Sequence, residues 1–219
     1  MLLQSLHILR LNLLMESRSR LLLSTALAFA VSALLTAIFA LEISSAKPST
    51  QSGMIWLILL FAALNAIARL FTAERDQQTL MLLRANATIS AIYLGKLLFN
   101  FLFLLIFSTP VLLSFLVLLN LDPSQWGMLL LVLILSDAAL AASTTLLAMI
   151  VAQTDQKASI FAVISVPVLF PALLISVELT QKSVFANPSL VVWSDLLPLV
   201  GFCGAMLTAG ALLFNMIWD

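Results

Sequence analysis

The sequence is poor in the residues that a water-soluble protein needs on its surface. Only 9% of its 219 residues are charged, whereas 63% are hydrophobic, and the formal net charge at pH 7 is zero. So little polar cover cannot shield the apolar area from water, which excludes a soluble globular domain. The sequence therefore predicts a membrane protein. It has no surplus of basic residues of the kind that is typical of nucleic-acid binding.

Residues that support catalysis or hold cofactors are also scarce. The chain has one cysteine, Cys203, which excludes an intramolecular disulfide, and one histidine, His7. There is no C-x-x-C-H run, so we expect no haem or metal ligand set in this chain. The six glycines form no G-x-x-x-x-G-K-[ST] phosphate loop, so any ATP must bind to a separate chain. We predict no catalytic, cofactor-binding or metal-binding residue.

Long apolar runs, by contrast, recur along the whole sequence. A bilayer core of about 30 Å needs roughly 20 apolar helical residues, and six segments meet this requirement. They are residues 21–41, 54–71, 97–119, 127–152, 160–177 and 196–218. The polar breaks between them are too short for a second domain. The predicted fold is an all-α integral membrane protein with six transmembrane helices in a single domain, residues 1–219.

Residues 1–20 predict an amphipathic helix that lies on the inner surface of the membrane. Leu2, Leu6, Leu9 and Leu13 form one helical stripe, and the segment ends in basic residues. Two further leucines fall on the polar side of this helix. An extension of the first transmembrane helix is therefore the alternative interpretation.

The distribution of basic residues predicts the orientation of the chain. With a cytoplasmic amino terminus, most of the Lys and Arg residues fall on or near the inner side. These are Arg10, Arg18, Arg20, Arg69, Arg75, Arg84, Lys96 and Lys157, whereas Lys47 and Lys182 fall outside. Both termini are then cytoplasmic, and residues 72–96 form a cytoplasmic elbow between the second and third transmembrane helices.

Within this elbow, a charged cluster precedes the apolar run LMLL, and RANATIS precedes the third span. We interpret the pattern as a short helix, a turn and a new helix that begins with Thr88 or Ser90 as its N-cap. The apolar face is too short to cross a bilayer. It must be buried against the membrane surface, the helix bundle or a partner protein, and the pattern leaves all three open.

Some residues inside the predicted spans are unusual for positions that face lipid. Asp137 and Asn65 both lie at a depth of about 15 Å, and we expect them to face the bundle interior and share a hydrogen bond. Arg69 lies nearer the cytoplasm, where its side chain can reach the headgroups. Gly201 and Ala205, four residues apart, predict a close helix contact within the bundle or with a second copy.

These features resemble the CcmB family, the permease subunits of the cytochrome c maturation haem exporter, which is a branch of the type-2 ABC exporter permeases. The residues that carry the resemblance are Gly53, Trp56, Arg69, Phe71, Glu74, the LMLL run and SAIYLGKLLFN at residues 90–100. The number of spans, the cytoplasmic termini and the position of the elbow agree as well. The resemblance therefore covers the whole chain.

The resemblance implies that the elbow is a coupling helix that docks onto a cytoplasmic ABC ATPase. Its polar contacts would be Glu74, Arg75, Asp76 and Arg84, and its apolar contacts Leu80, Leu82 and Leu83. It also implies a bacterial inner-membrane assembly that contains a second copy of this chain, other cytochrome c maturation subunits and a haem chaperone. Haem would be the cargo, or the assembly would release the haem-loaded chaperone, with ATP bound by the partner subunit.

Two alternatives remain open at the level of the sequence. A type-2 ABC permease that exports another amphiphile, such as a lipid, polysaccharide or drug, would share every feature except the details of the family resemblance. A membrane scaffold or small channel without an ATPase would also fit the hydropathy, although the scarcity of charge inside the spans disfavours an ion pathway.

Overall fold

A computed structural model describes residues 2–19, 21–40, 42–76, 88–152, 157–185 and 193–218. All regular structure in these ranges is helical, as the sequence predicts. The α-helices are α1 (Leu2–Ser19), α2 (Leu21–Phe39), α3 (Pro48–Asp76), α4 (Ile89–Leu118), α5 (Trp126–Ala152), α6 (Lys157–Phe185) and α7 (Leu197–Trp218). Short 3₁₀ turns at Ile43–Ser45 and Trp193–Leu196 precede α3 and α7.

Four of these helices contain segments long and apolar enough to cross a membrane. The segments are Ser90–Leu118, Trp126–Ala148, Ile164–Phe185 and Trp193–Leu213. Of two shorter apolar helical segments, Leu23–Phe39 lies within the first predicted span, and Pro48–Ala62 overlaps the second over residues 54–62. A membrane protein is therefore confirmed, whereas the count of six spans stays a prediction.

Helix α5 is the centre of the bundle. It packs against α4, α6 and α7, and 72% of its most apolar segment is buried. Helix α3 packs against α2 and α6, and α1 packs against α4. The apolar segment of α7 is only 17% buried, so α7 lies at the edge of the described bundle.

Helix α6 continues past residue 177, where the predicted fifth span ends. The chain becomes more polar there, but the helix is maintained to Phe185. Glu178 and Lys182, one turn apart, form a salt bridge of 2.8 Å along this extension, as favourably spaced charges on a helix do. A change in hydropathy therefore marks the end of the apolar span and not the end of the helix.

The predicted elbow, residues 72–96, is divided among three parts of the chain. Residues 72–76 belong to α3 and residues 89–96 to α4, whereas residues 77–87 lie outside the described ranges. Helix α4 begins directly after Thr88, as predicted for an N-cap. The Thr88 hydroxyl does not cap the helix, however, and donates instead to Oε1 of Gln4 at 3.2 Å. The hydroxyl thus connects α4 to α1.

The amino-terminal segment forms a helix, α1, that is distinct from α2. The carboxylate of Glu16 accepts a hydrogen bond of 2.9 Å from the backbone N–H of Leu23. Leu23 is the third residue of α2, and the first N–H groups of a helix have no partner within the helix. The Glu16 carboxylate therefore provides an acceptor for one of these N–H groups and stabilises the connection between α1 and α2.

Candidate functional site

The central helix α5 carries a row of buried polar side chains within the membrane-spanning bundle. They are Ser136, Asp137, Ser143, Thr144 and Thr145. Two of them, Ser143 and Thr144, donate to backbone carbonyls one turn earlier on the same helix, at 2.8 and 2.6 Å. Such bonds satisfy a hydroxyl locally. The remaining three, Ser136, Asp137 and Thr145, form hydrogen bonds with side chains of neighbouring helices.

Asp137 is buried and accepts a hydrogen bond of 2.5 Å from the hydroxyl of Ser108 on α4. The side chain of Asn65, its partner in the sequence-based prediction, lies outside the described part of the structure, so that pairing stays a prediction. The sequence-based interpretation did not include Ser108, because the hydroxyl of a serine inside a long apolar run commonly donates to a backbone carbonyl of its own helix. The signal that could have drawn attention to this part of α4 is Pro110, which lies inside the helix two residues after Ser108 and lacks a backbone N–H donor.

A second hydrogen bond connects the same two helices nearer to the start of α4. Nδ2 of Asn100 donates to Oγ1 of Thr145 at 2.7 Å, and both side chains are buried. Asn100 precedes Ser108 by eight residues, and Thr145 follows Asp137 by eight. The two bonds therefore belong to one antiparallel register, with about 12 Å of helix rise between them.

Asn100 has hydrogen-bonding capacity that the bond to Thr145 does not use. Its Oδ1 is buried and accepts no hydrogen bond from the described residues. Lys96, one turn earlier on the same face of α4, is also buried. Buried polar groups are costly unless they are hydrogen-bonded, so the bond to Thr145 stabilises the position of Asn100 between α4 and α5.

On its other side, α5 is connected to α6 by a pair of serine hydroxyls. Ser136 and Ser176 lie 2.6 Å apart, oxygen to oxygen, and both are buried. Ser136 directly precedes Asp137, so adjacent residues of α5 contact α6 and α4. The central helix is thereby attached to both neighbours at one depth in the membrane.

Helices α3 and α6 are connected by an indole hydrogen bond. Nε1 of Trp56 donates to Oγ1 of Thr180 at 2.9 Å, and both side chains are buried. Trp56 is one of the residues on which the family resemblance rests. Thr180 lies in the part of α6 beyond the predicted fifth span, so the sequence-based interpretation left it in a loop.

A glycine of α7, Gly210, lies directly against Tyr93 of α4. A Cβ atom at Gly210 would overlap the hydroxyl of Tyr93, which donates to the carbonyl of Leu207 at 3.4 Å. The predicted small-residue pair behaves differently. Nothing lies within 4 Å of a Cβ atom placed on Gly201, and Ala205 is exposed. The contact between α7 and α4 at Tyr93 therefore depends on Gly210, and a contact of Gly201 and Ala205 with a second copy stays a prediction.

The residues predicted to contact an ATPase fall at the end of α3 and beyond it. Glu74, Arg75 and Asp76 occupy the last turn of α3, although their side chains, like that of Arg69, are outside the described part of the structure. Residues Leu80, Leu82, Leu83 and Arg84 lie within 77–87, which is also outside it. The role of these residues as a coupling surface, and their contacts, therefore stay predictions.

The sequence contains one histidine and one cysteine, His7 and Cys203, as candidate metal ligands. Among the described residues, no group of three or more His, Cys, Asp or Glu side chains is arranged to hold a metal ion. Cys203 is buried in α7, and His7 is exposed on α1.

Comparison with known proteins identifies one family. A family model described as CcmB protein matches residues 3–214, which is nearly the whole chain. The match includes every described transmembrane segment and the stretch between α3 and α4. No curated protein and no solved structure matches the chain.

Proposed function

The chain belongs to the CcmB family, whose members are membrane components of the haem exporter for cytochrome c maturation, and we propose that it is the permease subunit that couples ATP hydrolysis by a partner to this process. The match over residues 3–214 is the observation that supports the proposal. The helices that can cross a membrane agree with it.

In this proposal, two copies of the chain combine with two copies of a cytoplasmic ABC ATPase in the bacterial inner membrane. The chain has six transmembrane helices, α2 to α7, and both termini are cytoplasmic. The segment between α3 and α4 then faces the cytoplasm, where Glu74, Arg75, Asp76 and Arg84 provide charged contacts and Leu80, Leu82 and Leu83 provide apolar ones. Other cytochrome c maturation subunits and a haem chaperone complete the assembly.

Movement of the ATPase would act on the bundle through the ends of α3 and α4. Helix α4 is hydrogen-bonded to α5 at Asn100 and Ser108, and α5 is bonded to α6 at Ser136. A shift of α4 would therefore be transmitted to the central helix and then to α6. Two arrangements of a packed bundle, selected by the nucleotide state of a partner, are a general mechanism of coupling.

The energy of ATP would serve either to move haem or to release the haem-loaded chaperone from a neighbouring membrane subunit. We favour release of the chaperone, because the sequence contains one histidine, one cysteine and no C-x-x-C-H run with which to ligate haem in transit. The chain itself would then bind no cofactor and would catalyse no reaction.

The proposal is tested by affinity purification of the tagged chain from its native membrane, followed by mass spectrometry. The test variant combines Glu74→Lys with Leu83→Asp, and the matched control combines Glu42→Lys with Leu57→Asn, which changes similar residue types outside the coupling segment. We expect an ATPase and cytochrome c maturation subunits to copurify with the wild type and the control, and the ATPase to be lost from the test variant.

Other results of this purification would contradict the proposal. Recovery of an ATPase together with enzymes of lipid or polysaccharide export would favour a permease for another amphiphile. Recovery of no ATPase with any of the three proteins, each inserted in the membrane in equal amounts, would favour a scaffold that works without ATP.

A further inference from the structure

The second turn of α3 carries a buried hydroxyl group that no described residue satisfies. Ser52 is 1% exposed, and its Oγ atom forms no hydrogen bond with the described residues. Two buried serines of α6, Ser176 and Ser183, donate instead to carbonyl groups one turn earlier on their own helix, at 2.7 Å each. A buried hydroxyl without a partner is costly. We therefore expect Ser52 to find its acceptor outside α3.

The side of α3 that carries Ser52 faces the end of α6. Trp56 follows Ser52 by four residues, so the two side chains lie on one face of the helix. The indole of Trp56 donates to Thr180, which lies five residues before the end of α6. Since the first third of α3 contacts the last third of α6, and both belong to one bundle, the two helices run in opposite directions. One turn from the indole bond, Ser52 is therefore level with Val184.

The start of α5 reaches the same place. The backbone N–H of Gln125 donates to the carbonyl of Ser183 at 3.1 Å, and the N–H of Ser124 donates to the carbonyl of Val184 at 3.4 Å. The last carbonyl groups of a helix have no partners within that helix, so these bonds attach the start of α5 to the end of α6. Three helices thus meet beside Ser52, and we call this meeting point the Ser52 junction.

Several oxygen atoms at or next to the Ser52 junction can accept a hydrogen bond. A hydroxyl oxygen can accept as well as donate, and a backbone carbonyl can accept two bonds. The hydroxyl of Ser183 and the carbonyl of Val184 are therefore available in addition to the bonds they already make. The residue before Ser52 adds another acceptor, because Oε1 of Gln51 is buried and accepts no hydrogen bond from the described residues.

We propose that a water molecule binds at the Ser52 junction, where it accepts a hydrogen bond from Ser52 and donates to oxygen atoms at the end of α6. Water is the occupant that the chemistry favours, because one donor faces several acceptors and water complements both. The burial of Ser52 and Ser183, at 1% and 0% exposure, excludes a larger ligand. Buried waters typically make about three hydrogen bonds to otherwise unsatisfied polar groups.

The bound water would extend the connection between α3 and α6. The indole of Trp56 bonds directly to Thr180, and the water would add a second contact one turn nearer the ends of both helices. A hydrogen bond through water is nearly as favourable in enthalpy as a direct one. Ser52 and residue 77 lie at opposite ends of α3. The inference is therefore independent of the proposed ATPase and cargo, since it concerns the chain and water alone.

The test is radiolytic labelling of the full-length chain in lipid nanodiscs equilibrated with water enriched in oxygen-18. A brief X-ray pulse converts water into hydroxyl radicals, and a water bound beside an aromatic ring adds its oxygen to that ring. Trp56 is the reporter, because it is 3% exposed and lies one turn from Ser52. Mass spectrometry measures the oxygen-18 on its side chain.

Three variants accompany the wild type, each checked for a monodisperse gel-filtration peak. Ser52→Ala removes the hydroxyl, and Ser52→Thr keeps it. Ser143→Ala is the matched control, because Ser143 is a buried serine whose hydroxyl donates to its own helix. We expect Trp56 to be labelled in the wild type, in Ser52→Thr and in Ser143→Ala, and to lose most of the label in Ser52→Ala.

Two labelling results would overturn the proposal. An unlabelled Trp56 in the wild type would show that the junction is dry, and this result needs no variant to fold. Equal labels in the wild type and Ser52→Ala would show that any water there does not depend on the Ser52 hydroxyl.

The melting temperatures of the same proteins provide a second, independent result. Ser52→Ala should lower the melting temperature, because the bound water loses one of its partners. A higher melting temperature would overturn the proposal, since removal of a buried hydroxyl that is truly unsatisfied relieves a cost in the folded state.

Discussion

The hydroxyl of Ser108 on α4 donates a hydrogen bond of 2.5 Å to the carboxyl group of Asp137 on the central helix α5. Both side chains are buried within the membrane-spanning bundle. Asp137 thereby connects α5 to α4, while the adjacent Ser136 connects α5 to α6. This pair of neighbouring contacts makes α5 the element through which the two flanking helices are held together.

Ser108→Ala should destabilise the bundle, because it leaves the buried carboxyl group of Asp137 without this donor. We expect a loss near the upper limit of about 1.7 kcal/mol measured for hydrogen bonds between membrane helices, since the bond is short and fully buried. The free energy of unfolding in mixed detergent micelles checks the prediction. Thr109→Ala is the matched control, because that hydroxyl bonds to Leu105 of its own helix.

The double variant Ser108→Ala with Asp137→Leu should recover most of the stability lost by Ser108→Ala alone. Removing both members of a buried polar pair is less costly than removing one, because no polar group is left unsatisfied. A double-mutant cycle with both single variants measures this coupling. Additive losses would show that the two side chains do not interact in the folded protein.

Gly210→Ala should disturb the contact between α7 and α4, because the added Cβ atom overlaps the hydroxyl of Tyr93. Overpacking of this kind typically costs about 1–3 kcal/mol. Gly204→Ala, in the same helix but with open space around the Cβ position, should cause no such loss. Thermal unfolding followed by fluorescence-detected gel filtration compares the two variants, and Tyr93→Phe should relieve part of the loss in the Gly210→Ala protein.

Trp56→Phe should weaken the attachment of α3 to α6, since it removes the indole donor to Thr180. The expected coupling in a double-mutant cycle with Thr180→Val is about 0.6 kcal/mol, the average for such hydrogen bonds in a membrane protein. Unfolding in mixed micelles measures each variant. Zero coupling, with both single variants folded, would contradict a hydrogen bond between these side chains.

Glu16→Ala should loosen the joint between α1 and α2, because the N–H of Leu23 loses its carboxylate acceptor. Losing an acceptor at the start of a helix typically costs about 1 kcal/mol. Glu16→Gln keeps an acceptor oxygen at this place and should retain more of the stability. Trypsin cleavage after Arg18 and Arg20 provides the measurement, with faster cleavage expected for Glu16→Ala than for Glu16→Gln.

The placement of α1 at the membrane surface stays a prediction, and the structure adds which face of this helix is buried. The leucine stripe through Leu6 and Leu13 is apolar and exposed, but the face that binds the bundle is Ser5, Ile8 and Asn12. Hydrophobicity identifies the stripe that avoids water, and it does not identify a polar face that packs against another helix. The glycine at position 95 that receives Ile8 is distant in the sequence, so no local pattern could have paired them.

The sequence by itself determined that this chain is helical and lies in a membrane, because long apolar runs with few charges have no other stable arrangement. The family resemblance, confirmed by the match over residues 3–214, was also readable from local motifs. Only the tertiary structure decided which polar side chains meet. Asp137 bonds to Ser108 and Trp56 bonds to Thr180 because of the rotation and register of packed helices, which depend on contacts between residues far apart in the chain.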